Sequence, residues 1–200
     1  MRDVRSMAPP VVLNLIIINC LGLMAVNLLG KNIAANIIMN CALSDIDTSF
    51  FKPWQLVSYM FLHADIFHLF FNMLPLWMFG RTLVYAMGEK RFLLYYMVCG
   101  IGAGLVQLAI GNFGCTVGAS GAVFGLLLAF GMMFPNAVIM LMLPPIPIKA
   151  KWFVVIYGVL ELYLGVSGRQ VGVAHFAHLG GMIWGFALLK YWQYKGVDRR

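Results

Sequence analysis

A chain of 200 residues in which 62% are apolar types and 10% are charged, with a mean hydropathy of +0.87, cannot bury its apolar surface in one water-soluble core. Soluble domains carry about a quarter charged residues. The net charge of +7 is spread over the short connections instead of one face, which excludes a nucleic-acid-binding reading and fits basic loops beside anionic lipid.

With lipid as the solvent, spanning segments must be helices, because backbone polar groups find no water there. No alternating pattern of about ten residues suggests a barrel. Six apolar runs follow in chain order: Val11–Gly30, Ile66–Ala86, Phe92–Gly111, Ser120–Phe134, Trp152–Gly165 and Val173–Tyr191. The fourth and fifth are shorter than the roughly 20 residues a full span needs. The fourth run, about 22 Å as a helix, is therefore expected to start below one membrane face. The first run follows a short basic segment and reads as an uncleaved anchor.

If the N-terminus lies inside, eleven basic residues, from Arg2 and Arg5 to Arg199 and Arg200, fall on the inner side. Lys31, Lys52 and Arg169 fall outside. This bias places both termini in the cytoplasm. The expectation is a single multi-pass domain over residues 1–200.

Between the first two runs, the apolar cluster from Phe50 to Phe61 reads as short interfacial helices. The inner connection Pro135–Lys151 holds Pro144, Pro145 and Pro147 and cannot be a regular helix through them. Cys20, Cys41, Cys99 and Cys115 lack metal-ligand spacing. Cys20 and Cys99 fall within spans, whereas Cys41 and Cys115 share the outer side, which is compatible with a disulfide.

Polar residues in these runs are costly and point to function. In the inward orientation the second, fourth and sixth runs all begin at the outer face. His63, His68 and Asn72 lie at the start of the second, Ser120 opens the fourth, and His175 and His178 open the sixth. Each has a plain structural alternative: Ser120 as a helix N-cap, Gly118, Gly121 and Gly125 as packing residues, and His178 or Asn72 as a bond between helices. All of these would have to coincide at one depth.

Gly121 with Gly125, and Gly181 with Gly185, form small-residue faces that let two backbones approach and would bring Ser120 to His178. Serine needs a base to become a nucleophile, and neutral histidine can serve and later return the proton. Glu161 sits in the neighbouring span away from triad spacing, so the expected arrangement is a dyad. The Ser120 N–H, at a helix start, is a free donor for an oxyanion, and His68 and Asn72, four apart, can add side-chain donors.

Three segments carry a resemblance: the stretch from His63 to Asn72, Gly118-Ala119-Ser120-Gly121-Ala122-Val123-Phe124-Gly125, and Ala177-His178-Leu179-Gly180-Gly181-Met182-Ile183-Trp184-Gly185. In order and spacing the chain resembles the rhomboid intramembrane serine proteases of the minimal six-span bacterial type. The resemblance implies an all-α membrane protein with a six-transmembrane-helix bundle and an interfacial first outer loop. It implies Ser120 as nucleophile, His178 as base, and an oxyanion site of His68, Asn72, the Ser120 amide and Gly118. His63, Phe124 and His175 would be supporting residues, with Phe124 packed on the catalytic histidine. The fifth span and the loop at Ser167-Gly168-Arg169 resemble a substrate gate and cap.

The implied activity is endoproteolysis of single-span membrane proteins near the outer face, in a bacterial inner membrane, without cofactor, metal or nucleic acid. Two positions depart from the family's pattern. Gln55 follows Trp54 where arginine is frequent, and Val84 stands where a glutamate often follows the Gly80-Arg81 turn. Together these departures predict a weakly anchored loop and leave the catalytic positions intact. The alternatives are a catalytically silent relative that binds membrane proteins, and a metal or haem protein ligated by His63, His68, His175 and His178.

Overall fold

The computed structural model describes residues 9–111, 114–140, 145–167 and 174–196. Among them the helices are α1 (Pro10–Leu28), α2 (Lys31–Cys41), α3 (Gln55–Ser58) with a 3-10 turn at Tyr59–Phe61, α4 (Ile66–Met87), α5 (Glu89–Ile110), α6 (Ser120–Met133), α7 (Ala150–Ser167) and α8 (His175–Tyr194). Six of them, α1 and α4 to α8, coincide with the six apolar runs and make an all-α membrane bundle. By length and composition α1, α5 and α7 are long and apolar enough to cross a bilayer, and α6 is shorter at 14 residues. Helices α4 and α8 have 22 and 20 residues but carry inward-facing polar side chains, among them Asn72, His175 and His178.

Helix α6 is central and packs against α4, α5, α7 and α8. Its small residues decide this. Lipid tails are as apolar as leucine, so helices associate through close packing of small side chains. A Cβ on Gly181 would land on the carbonyl oxygen of Gly121, and one on Gly125 would strike the Cys99 sulfur. A Cβ on Gly185 would meet the Tyr95 hydroxyl, which itself donates to the Gly125 carbonyl at 2.9 Å. The α6–α8 seam is therefore backbone against backbone.

Helix α7 differs. Its buried residues are Ala150, Val154 and Glu161, a single stripe at spacings of four and seven. Most of the rest of its surface is apolar and exposed, as a lipid-facing helix requires; Val159 is 63% and Val166 74% exposed.

The connection between α1 and α4 is more structured than the sequence suggests. Helix α2 was not expected there; it has no buried residue, and polar side chains interrupt its apolar pattern. The helical part of the Phe50–Phe61 cluster is confined to Gln55–Phe61. Gln55 corrects the expectation of a weak anchor. It is 0% exposed, its Oε1 accepts from the N–H groups of Ser44 and Lys52, and its Nε2 donates to the carbonyls of Met39 and Phe50. Two acceptor and two donor positions are all filled, so the amide anchors this connection without charge, and two of its four bonds are ones an arginine, a donor only, could not make. Trp54 Nε1 adds a bond to the Asn40 carbonyl at 2.9 Å.

Strand β1 (Leu43–Ser44) pairs antiparallel with β2 (Cys115–Thr116), tying this connection to the segment before α6. All four cysteines are free, so Cys41 and Cys115 are not bridged. The connection after α6 contains an unforeseen hairpin, β3 (Val138–Met140) with β4 (Pro147–Lys149). A two-stranded hairpin tolerates Pro147 because each strand is an edge.

Candidate active site

Ser120 is the first helical residue of α6, not its cap; Ala119 holds the cap position. The hydroxyl is thus free of the capping role. The preceding loop is fixed by Gly118, whose φ of +125° favours glycine and whose N–H donates to the Tyr59 carbonyl at 2.9 Å. Ser120 Oγ lies 2.9 Å from His178 Nε2. Phe124, one turn after Ser120 on the same face, stacks on the His178 ring at 4.3 Å between centroids and 7° between planes. The imidazole is therefore held both in plane and in reach of the hydroxyl.

The expectation of a dyad without a carboxylate is corrected by Glu161. Its Oε2 lies 2.9 Å from His178 Nδ1 and 2.6 Å from His175 Nδ1, and the residue is 7% exposed. The reason it escaped the spacing argument is its helix. Helix α7 runs to Ser167, so Glu161 is six residues, about 9 Å along the axis, from the same end of the bundle at which α8 begins. A long side chain covers the remainder. The signals were an ionisable residue inside an apolar run, and its place seven residues after Val154 on one helical face.

On α4 the Asp65 side chain caps the helix by accepting from the His68 N–H at 2.8 Å. His68 Nδ1 accepts from the Ala64 N–H, a long bond of 3.4 Å. That bond leaves the proton on Nε2. This nitrogen sits against the Gly118 loop, 2.8 Å from where a Cβ on Gly118 would be. Asn72 is buried one turn later, its Nδ2 donating to the His68 carbonyl at 2.8 Å; among the described residues it has no hydrogen bond to Ser120 or His178. His63 packs edge-on against His68 at 5.0 Å and is buried. Burial pushes its imidazole down to about 4. Gly168 and Arg169, of the expected cap, lie outside the described residues.

The four-histidine metal set does not assemble. The one group of three or more potential ligands among the described residues is Glu161, His175 and His178, without His63 or His68. A tetrahedral zinc with bonds of about 2.0–2.2 Å holds its ligand atoms about 3.4 Å apart. The Glu161 oxygen is 2.6 and 2.9 Å from the two imidazole nitrogens, which is hydrogen-bonding geometry.

Residues 51–194 match the Rhomboid domain family. The chain belongs to the rhomboid family. It is 33% identical over 152 residues to Rhomboid protein 1, mitochondrial, of Saccharomyces cerevisiae, covering 73% of this chain and 43% of that protein. It is 35% identical over 137 residues to RHOMBOID-like protein 1 of Arabidopsis thaliana, covering 68% and 34%. It is 30% identical over 138 residues to the Rhomboid protease GluP of Bacillus subtilis, covering 66% and 25%. The chain thus spans a quarter to under half the length of these rhomboid relatives.

Proposed function

We propose that this rhomboid chain is an intramembrane serine endopeptidase that cleaves single-span membrane proteins near the outer face of a bilayer, through an acyl-enzyme on Ser120. The observation that carries this reading is the 2.9 Å contact between Ser120 Oγ and His178 Nε2 in a partly buried, helix-lined site. In the first step the Ser120 oxygen attacks the scissile carbonyl and its proton passes to His178 Nε2. The tetrahedral intermediate collapses, and His178 gives that proton to the leaving amine. Water then loses a proton to His178 as its oxygen bonds to the acyl carbon; the bond to Ser120 Oγ breaks, and His178 returns the proton to that oxygen, freeing the acid and the serine.

The oxyanion is met by the Ser120 N–H, unpaired at the first turn of α6, and by the Nε2–H of His68. Asn72 supplies a further side-chain N–H from the next turn of α4. Hydrolysis needs water at this depth. Both ring nitrogens of His63 and Oδ1 of Asn72 lack a protein partner among the described residues, and buried polar groups of this kind hold water. The basic bias of the loops favours a membrane with both termini on the cytoplasmic side, as in a bacterial inner membrane.

The test is cleavage of a generic single-span protein in liposomes by the wild type and Ser120→Ala. The expected result is cleavage by the wild type and loss by about 10⁴-fold or more in the variant. Equal cleavage by both, or none by a folded wild type, contradicts the reading; the latter would leave a silent binding protein.

A further inference from the structure

We infer that Glu161 is a positioning residue for His178, so that the site is a Ser–His–Glu chain whose carboxylate is delivered by α7 and shared with His175. This rests on the proposed hydrolytic role of Ser120 and His178 and adds to it a third group that neither the serine nor the histidine helix carries.

Glu161 Oε2 is within hydrogen-bond distance of two imidazole nitrogens, His175 Nδ1 at 2.6 Å and His178 Nδ1 at 2.9 Å. An ionised carboxylate accepts and cannot donate. Both Nδ1 atoms must therefore carry protons. For neutral His178 this fixes the tautomer: Nδ1 donates to Glu161 and Nε2 is left bare, facing Ser120 Oγ at 2.9 Å. That is the tautomer a general base requires. The alternative tautomer would put a proton between Nε2 and the serine and leave nothing to take the hydroxyl hydrogen.

His175 and His178 are three apart on α8 and so present their rings on one side. His175 grips the same oxygen more closely and is 5% exposed. Its bond holds the carboxylate in place on a helix otherwise turned to lipid. Glu161 is one of three buried residues of α7, and a carboxylate facing lipid would be expensive. When His178 takes the serine proton, the imidazolium forms beside this anion. The proton stays on Nε2, Glu161 stays ionised, and the charge is stabilised where it develops.

The groups that face His178 are Ser120 and Phe124 from α6, Glu161 from α7, His175 from α8, and His68 from α4 with His63 behind it. Among these Glu161 is the anion, so its removal has a defined sign. Carboxylates favour the protonated imidazole. In Glu161→Gln the acidic limb of the kcat/KM profile is expected to move to lower pH.

The test compares the wild type, Glu161→Gln, Glu161→Asp and Ser120→Ala with the single-span substrate in liposomes. The expected result for Glu161→Gln is kcat lower by about 10²-fold or more, an unchanged KM, and the displaced acidic limb. Glu161→Asp is expected to recover part of kcat and return the limb towards the wild-type position. Wild-type kcat and limb in Glu161→Gln would overturn the inference while leaving the Ser120 reading intact. Cleavage by Ser120→Ala would overturn that reading instead. A second measurement needs neither activity nor a stable variant: nitrogen-15 histidine spectra of the wild type. They are expected to show the His178 proton on Nδ1 at neutral pH, and a neutral His178 protonated on Nε2 would overturn the inference.

Discussion

Helix α8 is held on one side by α6, glycine backbone against glycine backbone, and on the other by α7, through a carboxylate that meets two histidines. The first contact leaves no room: a methyl on Gly181 would occupy the position of the Gly121 carbonyl oxygen. The second is tight at Gly165, where a Cβ would come within 3.2 Å of His175 and Phe176, loose further along the helix, and strict in polarity. On α7 a Cβ at Gly158 would meet the Met182 side chain at an ordinary 3.4 Å. The seam sets how far apart Ser120 and His178 are. The polar contact sets which nitrogen of His178 carries the proton. A lipid-embedded site separates these two tasks because packing is the main force between its helices, while a hydrogen bond fixes direction.

The comparison can be broken most severely near the serine. Asn72→Ala is expected to slow cleavage by about 10²–10³-fold, the effect of one oxyanion donor, with unfolding temperature in detergent as a control. A wild-type rate would remove Asn72 from the site and leave His68 and the Ser120 amide as the donors.

The seam itself is tested by a pair of glycine substitutions. Gly181→Ala is expected to destabilise the bundle by about 1–3 kcal/mol, the usual penalty of overpacking. Its rate should fall as Ser120 and His178 are pushed apart. Gly158→Ala, on α7, is expected to be neutral or to stabilise by about 0.5–1 kcal/mol, since alanine is the better helix former. Thermal unfolding of both variants decides it. Equal effects would mean that α6 and α7 hold α8 in the same way.

What could be read in the sequence follows the same division. The apolar runs marked every spanning helix, because span length and composition are local properties of the chain. Ser120, Gly121, Gly181 and His178 could be related to one another because all stand near helix starts and their spacings are helical. Glu161 could not be placed, because its position depends on where α7 ends and on the reach of its side chain. Gln55 was read as a missing arginine. Its four hydrogen bonds come from Met39, Ser44, Phe50 and Lys52, a loop conformation that no periodicity records. Helix α2 was not foreseen because it buries nothing and Asn32, Asn36 and Asn40 break its apolar run.

The smallest expected effect lies away from both contacts, where the chain enters α4. The His63 imidazole is pushed from 6.5 down to about 4 by burial. A depressed folded-state value means that the unfolded chain binds its proton first as pH falls. The stability due to the neutral ring is complete above about pH 6.5 and is lost as pH drops towards 4. The unfolding temperature of the wild type should decline between pH 7.5 and 5, and His63→Asn should flatten the decline. An unaltered slope in the variant would assign the acid sensitivity to another group.

The most direct measurement is to treat the folded protein in detergent with a serine-directed fluorophosphonate and locate the adduct by mass spectrometry. One adduct is expected, on Ser120, strongly reduced in His178→Ala. No adduct on Ser120, or equal labelling with and without the imidazole of His178, would contradict it.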